Sequence, residues 1–275
     1  MLRCQTVTVL LVVILQVTTV TVHGAPEESQ GHEAERIVGG QDAEQGMYPW
    51  TVALFYNNQF ICTASVISPT NVMTAAHCVV FEGVVQPAES FYGIAGNVNK
   101  SSPVYRVNFA TVTPHPEYEN LDNDVAIFRT TEPIPISDEL RPICIAAADS
   151  DAEYTTALIM GWGRTNRVRI LPTRIPDILQ WGNQRIVPNE QCGVIYGGAV
   201  DENKICATGR RTGVCNGDSG GPLVHMRDDT PIQIGVTSFV NALIGCGKTF
   251  GPAAFTRVSR YNEFIMSNAD NVCVE

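Results

Sequence analysis

With 275 residues, 44% of them hydrophobic and 17% charged, the chain is long enough to bury one large or two small cores and too apolar for extended disorder. Its formal net charge of −10 argues against nucleic acid as a partner, because neutralising phosphates needs clustered Lys and Arg. In chain order, residues 1–24 read first as a secretory signal peptide. Arg3 gives a positive start, Val7–Val22 is apolar, and Val22-His23-Gly24 falls at the expected cleavage position. A membrane anchor is the competing reading, but Thr and Gln interrupt a run already short of the ~20 apolar residues of a span. No second such run follows, so no membrane contact is expected.

Residues 25–36, polar and aperiodic, read as a pro-segment. At Ile37 the character changes to short β-rich runs separated by turn clusters: Trp50–Tyr56, Cys62–Pro69, Met73–Val80, Val104–Pro116, Asp124–Thr130, Ala157–Gly163, Ile232–Val240 and Ala253–Ser259. Many short strands at regular spacing predict an all-β sandwich or barrel. Only Ser259–Ala269 reads as a helix, with Ser259 as N-cap and Tyr261, Phe264, Ile265 and Asn268 on one face.

Of nine cysteines, Cys4 would leave with the signal peptide, and eight remain: Cys62, Cys78, Cys144, Cys192, Cys206, Cys215, Cys246 and Cys273. An even number in a secreted chain reads as four disulfides. A zinc site is the alternative, but no Cys-x-x-Cys pair occurs, and no metal is expected.

The run Gly217-Asp218-Ser219-Gly220-Gly221 has little side-chain bulk and reads either as a surface turn or as a nucleophile loop. A serine nucleophile needs a histidine base, itself oriented by a carboxylate. His115, between two prolines, reads as a surface loop residue, and His225 precedes a hairpin turn at 226–229. The nucleophile elbow of α/β-hydrolases needs a long helix after the serine and its acid and base downstream. Gly220-Gly221-Pro222 starts such a helix poorly, so an esterase of that class is disfavoured. The order His, Asp, Ser is met by His77, Asp124 and Ser219. Asp122 competes for the acid role, but Asp124 directly precedes the apolar Val125–Phe128 run, which would bury and orient it.

Together Ile37-Val38-Gly39-Gly40, the Thr74–Cys78 run, the Asp122–Phe128 run, Gly161-Trp162-Gly163 and the Gly217–Leu223 run resemble the chymotrypsin family of serine proteases from Ile37 to the C-terminal helix. The resemblance implies two six-stranded antiparallel β-barrels, about 37–150 and 151–258, followed by the helix at 259–269. It implies His77 as general base, Asp124 as its orienting acid, Ser219 as nucleophile, and the N–H groups of Gly217 and Ser219 as oxyanion donors. It further implies a zymogen cut at Arg36–Ile37, the freed Ile37 amine pairing with Asp218. The implied disulfides are Cys62–Cys78, Cys192–Cys206 and Cys215–Cys246, which leaves Cys144 with Cys273. A further bridge that many relatives carry is absent, Ala157 and His225 standing near its positions.

In the family the residue six before the serine lies at the base of the primary pocket. Here it is Gly213, not the Asp of tryptic relatives. Val214, Ser238, Phe239, Val240 and Ala253 complete the implied pocket, residues 238–240 offering main-chain groups to substrate. Val240 replaces a common glycine and would narrow the pocket, as in elastases. The run Ser238–Val258 resembles arthropod digestive chymotrypsins and serine collagenases (brachyurins), although Ala253 stands where some of those carry Asp. The expected protein is therefore a secreted, digestive, monomeric chymotrypsin- or elastase-like endopeptidase. It would use no cofactor and act on polypeptides. It would need an external trypsin-like activator, bind protein protease inhibitors, and carry a glycan at Asn99, in the sole Asn-x-Ser/Thr site. A catalytically silent homologue acting as a binding or regulatory module is the second reading.

Overall fold

Two pairs of consecutive residues, Asn57-Asn58 (φ 47° and 65°) and Asp228-Asp229 (φ 46° and 65°), reverse the chain in left-handed conformations. Two-residue turns of this hand match the twist of antiparallel strands, and Asn and Asp tolerate them best among residues with side chains. They join the longest hairpins of the protein. The computed structural model describes residues 37–148, 155–165, 175–198, 200–210, 212–241, 246 and 251–275, all within the unit Glu35–Glu275.

Six strands form the first barrel: β1 Thr51–Tyr56, β2 Gln59–Ser68, β3 Asn71–Thr74, β4 Phe91–Ala95, β5 Tyr105–Pro114 and β6 Ala126–Thr130. They close antiparallel in the order β1-β2-β3-β6-β5-β4. The second barrel uses β7 Thr156–Gly161, β8 Gln180–Val187, β9 Lys204–Thr208, β10 Pro222–Arg227, β11 Thr230–Val240 and β12 Ala253–Arg257. Its order is β7-β8-β9-β12-β11-β10, with β10 paired back to β7. The topology therefore repeats. Closure pairs every edge strand, which is what separates barrels from the sandwich that strand periodicity alone leaves open.

Leu54, Val66 and Phe128 fill the first barrel, and Ile159, Leu223 and Phe255 the second, all buried. Each such side chain contributes about 1.5–3 kcal/mol of apolar burial. Across the boundary the Ser65 hydroxyl donates to Gln233 Oε1 (2.7 Å), and Trp50 Nε1–H points at Met160 Sδ (3.3 Å). Disulfides join Cys62 to Cys78, Cys192 to Cys206 and Cys215 to Cys246, the three pairs that the family resemblance implies, and Cys144 to Cys273, the pair left by elimination.

The helices depart from expectation in two places. An additional helix, α1 (Asn189–Tyr196), follows Pro188 and ends on Gly197 in a left-handed conformation (φ 62°). Its eight residues, with Gly193 inside, are too few to show periodicity, and the Cys192–Cys206 disulfide ties it to β9. At the C-terminus, a 3₁₀ turn (Val258–Tyr261) precedes α2 (Asn262–Asn268). Ser259 thus lies inside that turn instead of capping the helix, because β12 ends at Arg257 and the chain must turn at once. The expected face holds: Tyr261 and Ile265 are buried, Phe264 and Asn268 half-buried.

Candidate active site

The β-rich run at Met73–Val80 is strand at Met73–Thr74 and again only at Val80; between them a 3₁₀ turn, Ala76–Cys78, carries His77. Cys78 is tied to Cys62 on β2, so the backbone under His77 is fixed by a covalent link as well as by strand pairing. The His77 side chain is 23% exposed. Its Nδ1 lies 2.8 Å from Asp124 Oδ2, and its backbone N–H donates to Asp124 Oδ1 (2.9 Å). A carboxylate only accepts, so Nδ1 carries the proton and Nε2 is left as an acceptor.

Asp124 is 1% exposed, and such burial of a carboxylate costs heavily unless its oxygens are bonded. Besides the two bonds from His77, the Ser238 hydroxyl donates to Oδ2 (2.5 Å), and Thr256 Oγ1 donates to the Asp124 carbonyl (2.8 Å). Asp122 points elsewhere. Its carboxylate is 65% exposed and pairs with Lys204 Nζ at 2.5 Å. The loop leading to Asp124 is strained, with Asn120 (φ 48°), Leu121 (φ 71°) and Asn123 (φ 52°) all left-handed. Asn tolerates that conformation, whereas it costs a residue such as Leu121 roughly 1–2 kcal/mol.

Ser219 lies in a loop pressed against the His77 segment. Its carbonyl accepts the Thr63 N–H (2.9 Å), and Thr63 Oγ1 donates to the Gly217 carbonyl (2.9 Å). Gly220 (φ 76°) leaves no room for a side chain: a Cβ there would stand 2.0 Å from Thr74 Oγ1 and 3.0 Å from Ala75 N. The Ser219 loop is thereby packed within two residues of His77. Gly217 (φ 99°) is similarly confined, with Gly163 Cα and the Phe60 ring each 3.0 Å from a Cβ position. Only glycine meets both demands at these positions.

Asp218 is buried beneath the loop and accepts N–H bonds from Gly163 (2.8 Å) and Cys215 (2.9 Å). Burial pushes its carboxyl up to about 7, the two N–H donors pulling the other way. Ile37 is fully buried, and Val38 bridges antiparallel to Gly213. Arg36 lies outside the described residues.

Comparison with known proteins accords with this arrangement. The family model described as trypsin matches residues 37–265. The chain belongs to the trypsin family. It is 34% identical over 236 residues to Serine protease SP24D of Anopheles gambiae, covering 86% of this chain and 82% of that protein. Over 243 residues it is 34% identical to Kallikrein 1-related peptidase b21 of Mus musculus, covering 84% of this chain and 88% of the relative. A match to Transmembrane protease serine 9 of Rattus norvegicus, 31% identical over 252 residues, covers 88% of this chain but 23% of that longer protein. This trypsin-family protein is a serine endopeptidase. Among the described residues, no helix is long and apolar enough to cross a membrane.

In this trypsin-family enzyme Val214 and Ala253 are buried in one cluster with Ile37, and half-buried Val240 packs against it. None of the side chains at 213, 214, 240 and 253 carries charge. Phe239 meets the ring of Tyr196 on α1 edge-on at 5.1 Å. Residues 242–245, part of the loop before Cys246, lie outside the described residues. The family resemblance gives Ser238 a role only through its main chain, whereas its hydroxyl is a third donor to Asp124. Ser238 and Thr256 lie 114 and 132 residues from Asp124, a separation at which no sequence pattern signals contact.

The remaining histidines fall as follows. His115 is not a plain surface residue; it is half-buried against Tyr261 and Phe264 (ring centroids 5.4 and 4.9 Å), and burial lowers its pKa. His225 stands directly across from Ala157 on the paired strands β10 and β7. Asn99 is half-buried, its Oδ1 turned back to accept the Ser101 N–H (3.0 Å), while the Ser101 hydroxyl donates to Asp177 Oδ1 (2.5 Å).

Proposed function

We propose that the chain is made as a secreted zymogen, with residues 1–24 as signal peptide and 25–36 as pro-segment. Cleavage at Arg36–Ile37 would yield a monomeric digestive endopeptidase with chymotrypsin- or elastase-like specificity. In the reaction His77 Nε2 takes the Ser219 proton as Oγ attacks the scissile carbonyl, and later returns it to the leaving amine. Asp124 keeps Nδ1 protonated and stabilises the imidazolium. The N–H groups of Gly217 and Ser219 bind the oxyanion, each worth about 3–4 kcal/mol of transition-state stabilisation. The observation that carries this reading is the buried Asp124 carboxylate bonded to both Nδ1 and the backbone N–H of His77. A chain kept only as a binding or regulatory module has no need of it. An organophosphonate should label the cleaved protein once, at Ser219; peptide mapping that finds the label elsewhere, or no label, favours the silent homologue.

The uncharged pocket sets the second expectation. Burying the guanidinium of Arg36 beside Gly213, Val214, Val240 and Ala253 with no counter-charge costs several kcal/mol, enough to slow cleavage by orders of magnitude. The zymogen therefore does not activate itself and requires a trypsin-like partner. Incubating Ser219→Ala zymogen with the activated enzyme or with trypsin, then sequencing the new N-termini, checks this. Release of Ile37 at comparable rates by both would overturn it. Once active, the enzyme prefers apolar residues before the scissile bond, as a peptide library would show.

The third expectation concerns Asp218, whose folded pKa of about 7 exceeds the ~3.9 of an unfolded aspartate. The folded, uncleaved chain holds this proton more tightly than the unfolded chain does. Its contribution to stability is complete below pH ~4 and is lost as pH rises toward about 7. Cleavage supplies the Ile37 ammonium as a counter-charge and removes that loss. The melting temperature of Ser219→Ala protein should then rise more on trypsin cleavage at pH 7.5 than at pH 4.5. An equal rise at both would count against the pair.

Asn99 is the proposed glycan acceptor. Because Ser101 is engaged by Asp177, attachment would precede closure of this loop.

A further inference from the structure

The segment that delivers Asp124 takes a left-handed backbone at Asn120, Leu121 and Asn123. Asn tolerates that region, but a bulky Leu resists it, so the strain of the loop sits at Leu121. Strain of this kind persists only where the surroundings over-determine it. Part of the restraint is local: Glu119 and Asp122 exchange backbone hydrogen bonds (2.8 and 3.3 Å), and Asn123 Nδ2 donates to the Glu117 carbonyl (2.8 Å). The rest comes from the second barrel and the C-terminus. Tyr261 donates its hydroxyl proton to Asn123 Oδ1 (3.1 Å), and Lys204 on β9 reaches Asp122 Oδ1 at 2.5 Å.

Lys204, the first residue of β9, is an unusual residue to be buried. It is 3% exposed, and a buried ammonium must find acceptors or suffer a large desolvation penalty. Its carboxylate contacts are Asp122 and, at 3.6 Å, Asp201. The Asp122 side chain, by contrast, is 65% exposed. The lysine is thus the fixed post, and the loop is what it holds.

We propose that Lys204 is a positioning residue that latches Asp122 across the barrel boundary, and so keeps the strained 117–124 loop aiming Asp124 at His77. Lys204 touches neither substrate nor the reacting atoms. The inference rests on Asp124 being the acid of the catalytic triad.

The test compares four variants of the cleaved enzyme by steady-state kinetics. Lys204→Met, which keeps the length of the stem, should lower kcat by about 10- to 100-fold, the loss expected when a catalytic group drifts by about an ångström. KM should stay within about twofold of the parent, since the substrate pocket is untouched. Asp122→Ala should give the same split from the exposed side of the pair, and it decides the matter alone if Lys204→Met does not fold. Asp201→Asn, which loosens the other contact of Lys204, should leave kcat within about twofold. Adding Leu121→Asn to Lys204→Met should recover part of kcat, because Asn tolerates the left-handed conformation and less restraint is then needed. The latch is overturned if Asp122→Ala keeps kcat within about twofold of the parent, or if Asp201→Asn loses as much as Asp122→Ala. Asp124→Asn, assayed alongside, separates the two readings: if it stays active, the triad assignment itself has failed, whereas if it is disabled and Asp122→Ala is not, only the latch has.

Discussion

Ser219→Ala is expected to lower kcat by about 10⁶-fold, the scale on which loss of the nucleophile is felt in serine proteases, while fold and KM stay near those of the parent. The reason lies in how the loop is held. Its bonds to the first barrel run through main-chain carbonyls: that of Ser219 takes the Thr63 N–H and that of Gly217 takes the Thr63 hydroxyl. Alanine preserves both. It also preserves the N–H groups of residues 217 and 219, so the variant keeps its oxyanion donors and loses only the atom proposed to bond to the substrate acyl carbon. What remains is the modest acceleration that donors and binding supply without a nucleophile. Steady-state kinetics with circular dichroism as a fold control would check it. Turnover within about tenfold of the parent would remove Ser219 from the reaction.

Asp124→Asn is expected to cost about 10⁴-fold, the known consequence of the wrong histidine tautomer in a triad of this type. The local geometry says how it would arise. Because the His77 backbone N–H donates to Oδ1, an amide at position 124 must turn its oxygen to that side. Its NH₂ then occupies the Oδ2 position, 2.8 Å from His77 Nδ1 in the parent. There it can only donate, so Nδ1 becomes the acceptor and the ring proton moves to Nε2. A protonated Nε2 cannot take the proton of Ser219. The Ser238 hydroxyl, which donates to Oδ2 in the parent, can rotate to accept from the new NH₂ and so stabilises the inactive arrangement. Asp122→Asn is the control. Its amide oxygen can still accept from Lys204, and its activity should stay within about threefold of the parent. Measuring kcat/KM for both decides the assignment, and a large loss at 122 with a small one at 124 would reverse it.

Much of this was legible along the chain because its causes are local. Alternating apolar residues marked the strands, since which face is buried is a property of a short segment. The apolar run after Asp124 anticipated that this aspartate, and not Asp122, would be drawn inward. The parity of the cysteines and the Tyr261 and Ile265 face of the last helix were likewise present in composition and spacing. Short segments also misled where the decisive contact lay elsewhere. Ser259 has the chemistry of a helix cap, yet β12 runs up to Arg257 and a 3₁₀ turn takes its place. Helix α1 has almost no signal of its own and is stapled to β9 through Cys192. His115, set between prolines like a loop residue, is covered by rings near the other end of the chain.

By itself, then, the sequence determined which residues are candidates for the chemistry and which segments extend, because residue type and period are written position by position. The tertiary structure alone decided that the strands close into barrels. It alone decided that Asp124 receives the Ser238 hydroxyl, that Asp122 meets Lys204, and that Asp218 is buried deeply enough to hold its proton to about 7. Each of those depends on two segments far apart in the chain meeting within a few ångströms. A periodic pattern records that a face is covered, but not which part of the chain covers it.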